Sequence, residues 1–177
     1  MLVKPLLIPD IFGYRVVEVG VPAEHLTTLD HEMELPTPNY RPDREWDGQK
    51  FVCSRLDDAA VWEPWRVPGF ETRDTGVEDG TKGVAAVRIV RPITAEEQTA
   101  SVTSHDSDIL FTFVLSGSCT LHGEGQDSQT LSEGDAYTLP PGHKTCLADP
   151  SADLSLLEVS LPGRFNTTVH PNEKLPI

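Results

Sequence analysis

The chain has 177 residues, within the reach of a single hydrophobic core. Its 14 Lys and Arg against 28 Asp and Glu leave a formal charge of −14. That balance argues against nucleic acid and against an anionic membrane surface as partners, since both need clustered basic side chains. A hydrophobic content of 38% suffices for a core, and 15 Pro with 13 Gly suit a turn-rich β protein better than a helical bundle.

No run approaches the roughly 20 apolar residues of a membrane helix. The apolar start is broken by Lys4, Pro5 and Pro9 and carries no signal-peptide pattern, so the expected location is the cytoplasm. Cys53, Cys119 and Cys146 are odd in number and form no CxxC pair. They read as buried free thiols in a reducing compartment.

In chain order, residues 15–19 alternate as a strand, and residues 23–33 suit one short helix opened by Pro22 and stopped before Pro36. Three prolines among polar residues make 36–46 an extended arm. Residues 50–53 and 61–65 are short strand candidates. Trp46, Trp62 and Trp65 fall near them, with packing or a subunit contact as their expected use. From Phe70 the pattern becomes regular. Segments 70–75, 84–91, 109–115, 118–122, 136–139, 144–147 and 154–160 are rich in β-formers, and Gly- and Pro-containing turns separate them. Many short strands spaced by such turns predict an all-β sandwich or barrel.

Three segments carry a pattern: FVLSG at 113–117, LSEGD at 131–135 and LPPGH at 139–143. They resemble the cupin superfamily, whose second motif is G-x5-P-x-G-x2-H-x3-N. Gly134, Pro140 and Gly142 stand at its first three positions, and Gly117 fits the last glycine of the first motif, G-x5-H-x-H-x3,4-E-x6-G. The resemblance covers roughly residues 60–165. It implies a single cupin (RmlC-like) jelly-roll β-barrel at 60–165, an N-terminal arm with accessory strands and oligomer contacts at 1–59, and a C-terminal tail at 166–177.

The departures bear on function. A metal-bearing cupin holds its ion with three histidines and a carboxylate or amide, a donor set for iron, manganese and similar ions. The corresponding residues here are Thr103, His105, Leu110 and Thr145. One imidazole does not hold a divalent ion against water, because such sites need three or more protein ligands. No metal cofactor is therefore expected. The alternative is a rearranged iron or manganese site using His105, His143 and a carboxylate such as Asp106 or Asp108, with His122 on a neighbouring strand. The simpler readings place His143 at the barrel mouth and His122 at an exposed strand end. His25 and His31, six apart, do not share a helical face.

Regular alternation would turn Thr103, His105, Leu110, Thr112, Thr138 and Thr145 toward one lumen. Such a lumen is either a pocket for a small carboxylate or aromatic ligand, or a packed interior with its hydroxyls bonded to the backbone. Arg73, Arg88 and Arg91 are candidates to meet an anion, with surface ion pairs as the plainer use. Two functions follow. The first is a small-molecule-binding cupin without the metal tetrad, as a homodimer or as the non-metal subunit of a ring-cleaving dioxygenase beside a larger cupin chain. The second is a self-sufficient cupin enzyme, of dioxygenase type through a rearranged metal site around His105, or with His105 as a metal-free general base.

Overall fold

The structure, a computed structural model, describes residues 3–6, 16–19, 45–46, 48–56, 60–93 and 101–175. The expected helix at 23–33 and residues 36–44 of the arm expected at 36–46 lie outside them. The chain divides into two compact units, Met1–Tyr40 and Arg41–Ile177. In the first, β1 (Val3–Leu6) and β2 (Val16–Val19) form an antiparallel pair.

The second unit opens with a small pair, β3 (Glu45–Trp46) and β4 (Gln49–Lys50). There follow β5 (Glu63–Pro64), β6 (Phe70–Asp74), the single-turn helix α1 (Val77–Gly80), β7 (Ala86–Pro92), β8 (Val102–His105), β9 (Ile109–Ser116) and β10 (Ser118–Gly123). The last five strands are β11 (Gln129–Ser132), β12 (Ala136–Leu139), β13 (Thr145–Ala148), β14 (Ser155–Leu161) and β15 (Thr167–His170). They form two antiparallel sheets, ordered β11-β10-β13-β8-β15 and β12-β9-β14-β7-β6-β5. The result is the all-β architecture that the turn spacing predicts, in the jelly-roll-like form that the cupin resemblance implies. Apart from a shift between Ser155 and Leu156, β9 and β14 run in register along their whole length as neighbouring interior strands of the larger sheet.

Glycine placement shows why the turns fall where they do. Gly117 links β9 to β10 with φ +72°, and a Cβ there would stand 2.6 Å from the Leu154 Cα. Only glycine meets both demands, a left-handed backbone and a backbone pressed against it.

Several expectations need correction. Residues 51–53 do not continue β4, because Phe51, Val52 and Cys53 are exposed; Cys53 is not a buried thiol, whereas Cys119 and Cys146 are. Sheet pairing continues past residue 165, where β15 adds an edge strand beside β8. The strands β8 and β11 lack the apolar alternation that marks a strand in sequence. They form because paired neighbours supply their backbone hydrogen bonds. The one helix among the described residues, α1, lies in the Gly76–Gly80 turn region.

The core occupies one end of the barrel. Trp65, Val67, Phe70, Val90, Val114, Cys119, Leu147, Leu154 and Leu156 form one buried cluster, with Leu121 and Leu131 packed against it.

Candidate functional site

Register lays the inner face of the larger sheet out in rows. Val114, Leu156 and Val90 align across β9, β14 and β7 as an apolar row. Two residues further along each strand, Tyr137, Thr112, Glu158 and Arg88 align across β12, β9, β14 and β7. The next row is Leu139, Leu110, Ser160 and Ala86. The interior therefore changes from apolar at one end to polar at mid-height, because strand alternation brings every second residue to the same face.

Glu158 is the centre of the polar row, with 1% of its surface exposed. Trp65 Nε1 donates to its Oε1 at 3.1 Å, and Arg66 reaches Oε2 through Nε at 2.8 Å and a terminal guanidinium nitrogen at 2.6 Å. A buried carboxylate needs such company, because its desolvation is offset only by several good hydrogen bonds. The Arg66 guanidinium also lies 4.5 Å from the Trp65 ring and 5.9 Å from the Phe165 ring. Burial around its hydroxyl pushes the Tyr137 phenol above its ordinary pKa; Thr112 and Arg66 pull it back in part. Among the described residues, Thr112 Oγ1 finds no hydrogen bond of normal geometry, and it is out of contact with solvent.

On the smaller sheet, Thr103 and Thr145 stand opposite each other on β8 and β13, both buried. His105, two residues beyond Thr103, is 5% exposed. The backbone N–H of Ser107 donates to its Nδ1 at 3.1 Å, while its Nε2 is buried and, among the described residues, makes no hydrogen bond of normal geometry. Desolvation, then the charge of Arg66, lowers the His105 pKa below its ordinary value. Phe165 meets the imidazole edge-on, ring centres 6.0 Å apart. Above this layer opens a cleft of about 470 Å³, walled by Trp65, Arg66, Glu158, Phe165, Arg88 and Thr167 among others. Two of its walls border His105: Thr167 is its cross-strand neighbour and Phe165 packs on its ring, while the imidazole itself does not line the cleft.

The structure thus buries Thr103, His105, Leu110, Thr112 and Thr145, as alternation predicts, but turns Thr138 out into solvent. At the four positions where a metal-bearing cupin has ligands stand one imidazole, two hydroxyls and an aliphatic chain, a set that does not fit a divalent ion. The rearranged set does not assemble either. Asp106 and Asp108 are exposed, and Asp106 is occupied by Asn166, whose backbone N–H and side-chain Nδ2 donate to it at 2.7 and 2.8 Å. Among the described residues no three His, Cys, Asp or Glu side chains converge. His143 is half-buried, its Nε2 3.0 Å from where a Cβ on Gly123 would stand. His122 is no exposed strand end. It is 5% exposed and hydrogen-bonded to Ser128 Oγ at 2.8 Å, on the same strand face as Cys146.

The arginines are dispersed. Arg91 pairs with Glu71 and stacks on Trp62, Arg73 donates to Ser54 Oγ and the Arg55 carbonyl, and Arg88 pairs with Glu78, which Arg164 also reaches. Of the three, Arg88 lines the cleft. Trp65, Arg66, Tyr137, Glu158 and Phe165 were not singled out from sequence as site residues. One signal was available for Glu158, a lone acid at an inward phase of the apolar strand 154–161.

No protein-family model matches the sequence, and no curated protein matches it. Solved structures do. KdgF from Halomonas sp. aligns with a TM-score of 0.50 at 16% identity, over 63% of this chain and 96% of its own. Fe(II)-HppE with the alternative substrate (S)-1-HPP gives 0.50 at 14% identity, over 62% of this chain and 60% of its own. A Streptomyces PAC13 variant with uridine gives 0.49 at 15%, over 63% and 84%. Likeness at this level is a likeness of fold. The neighbours are cupin-fold proteins, and the barrel described above is cupin-like.

Proposed function

We propose that this chain is a small-molecule-binding barrel that works without a bound metal and admits its ligand through the cleft between Trp65, Arg66 and Phe165. One observation carries the reading: among the described residues, His105 Nε2 and Thr112 Oγ1, on opposite sheets of the barrel, are buried with no hydrogen bond of normal geometry, the Leu139 carbonyl and the Tyr137 hydroxyl lying near them but short of one. Each such group costs on the order of 1–3 kcal/mol. A core serving stability alone is better filled with apolar side chains, so the two atoms are read as contacts kept for a ligand. The cleft is of the size of a small-molecule site, and its walls include Thr167 and Glu158, the cross-strand neighbours of His105 and Thr112.

Binding of small aromatic and aliphatic acids, followed by Trp fluorescence on chelator-treated protein, tests this. Saturable binding that survives chelation and weakens in Thr112→Val is expected. Binding that vanishes with the chelator and returns with iron or manganese would refute the metal-free reading.

The donor-poor interior also supports a role as the non-metal chain of a ring-cleaving dioxygenase. Affinity purification of the tagged chain from its own cells, under non-denaturing conditions, would then bring down a larger cupin in fixed ratio. Recovery of the chain only with itself leaves the homodimer as the assembly. An odd number of cysteines fits a reducing compartment, the cytoplasm.

A further inference from the structure

A ligand site with unpaired polar atoms can recognise either donors or acceptors, and the geometry around His105 distinguishes the two. Its Nδ1 receives the backbone N–H of Ser107 at 3.1 Å. A backbone amide only donates, so Nδ1 is an unprotonated acceptor, and the one proton of the neutral ring resides on Nε2. A charged ring would set Nδ1–H against Ser107 N–H, donor against donor, and burial and Arg66 also oppose the charge. Ser107 is held in place. It is 0% exposed, and its hydroxyl lies 2.8 Å from the Ile109 carbonyl and 2.9 Å from the Leu161 carbonyl. The amide therefore keeps its aim, and the tautomer is built into the β8–β9 turn.

The resulting Nε2–H has no acceptor of normal geometry among the described residues. The Leu139 carbonyl is near enough to influence the ring, yet it does not complete that bond. The nearest interior carboxylate, Glu158, already takes Trp65 on one oxygen and Arg66 on the other. What the interior offers a ligand is thus a surplus of hydrogens, among buried apolar groups such as Leu110 and Leu139.

We infer that His105 is a neutral hydrogen-bond donor aimed by Ser107, and that the ligand of this barrel places a carboxylate or carbonyl oxygen against it on a mainly apolar body. The inference rests on the ligand site proposed above and adds its chemical class. It also reverses the sequence expectation for His105. An imidazole with its proton on the inward nitrogen polarises a carbonyl or steadies an enolate oxygen instead of removing a proton. Ser107 is then a positioning residue, acting through the ring.

The test uses the full chain with 15N-labelled histidine, in NMR at about pH 7.5, where an ordinary imidazole is neutral. Benzoate and benzylamine, alike in size and opposite in hydrogen-bonding sense, are the probes. The free protein is expected to show His105 protonated at Nε2 and bare at Nδ1. Benzoate should shift Nε2 together with Trp65 and Phe165, and bind at least about tenfold more tightly than benzylamine, the factor expected of one hydrogen bond to a charged group. His105→Gln, which keeps an N–H donor, should retain benzoate binding that His105→Ala loses about tenfold. A ring protonated at Nδ1 or on both nitrogens overturns the inference whether or not benzoate binds. Benzylamine binding as tightly as benzoate also overturns it. If Trp65 and Phe165 respond to neither probe, the ligand class fails, while the tautomer is still read from the free protein.

Discussion

Trp65 and Glu158 lie 93 residues apart in sequence and meet through a buried 3.1 Å hydrogen bond from the indole to the carboxylate. The contact joins the segment after β5, at the sheet edge, to the midpoint of β14 in its centre. Arg66 completes it from the next residue along. The same three side chains frame the cleft, so the tie that holds the edge of the barrel is also the wall of its entrance.

Glu158→Gln keeps the shape of that tie and removes its charge. Arg66, only 13% exposed, then stands without a counter-ion. Breaking a buried pair in this way costs about 3–5 kcal/mol. Urea unfolding should show that loss, and adding Arg66→Met to the same chain should recover part of it. Equal stability of Glu158→Gln and the unaltered protein would show that the pair is solvated in practice.

The depressed His105 pKa has a signed consequence. The unfolded ring takes up its proton near pH 6.5 and the folded ring only at lower pH. Between those values the unfolded state binds more protons, so stability falls as the pH is lowered. The loss begins below about pH 6.5 and stops below the folded pKa, with a slope of at most about 1.4 kcal/mol per pH unit for one proton. Denaturant titrations from neutral to mildly acid pH should show this slope, reduced in His105→Gln. An unchanged slope in the variant would assign the effect to other groups.

The three thiols should react in two classes. Burial pushes the Cys119 thiol up to about 11 and raises that of Cys146, whereas Cys53 is exposed. A thiolate-selective reagent under native conditions should label one cysteine, Cys53, and reach the other two only on unfolding. Prompt native labelling at Cys119 would mean that the barrel opens at its packed end.

Two glycines with the same backbone angle separate conformational strain from crowding. Gly117 and Gly125 both have φ +72°, but a Cβ meets the Leu154 backbone at 2.6 and 2.7 Å in the first case and nothing within 4 Å in the second. Gly125→Ala should cost about 1 kcal/mol, the price of the left-handed conformation alone. Gly117→Ala should cost several times more, or prevent folding. Similar midpoints for the two in thermal unfolding would refute the steric argument.

Much of the frame is legible locally. Gly117, Gly134 and Gly142, read as turn glycines, all adopt positive φ, and β12 spans the residues expected of it. Thr103, His105, Leu110, Thr112 and Thr145 are buried because strand alternation is a property of neighbouring residues. Thr138 fails the same rule by one residue of phase, since Leu110 aligns with Leu139 and leaves Thr138 opposite Phe111, out of the row that Leu110 occupies. That phase is set by pairing between strands, which the segment itself does not encode.

The amino-acid order alone determined a turn-rich, all-β fold, because turn residues and β-formers act through residue type and short-range spacing. Tertiary structure decided the rest: that Trp65 and Arg66 close on Glu158, that Phe165 lies against His105, and that the Ser107 amide sets the proton on the inward nitrogen. The physical reason is range. A hydrophobic pattern repeats every two residues, whereas a hydrogen bond inside the barrel is made across strands whose register is decided only when the sheets form.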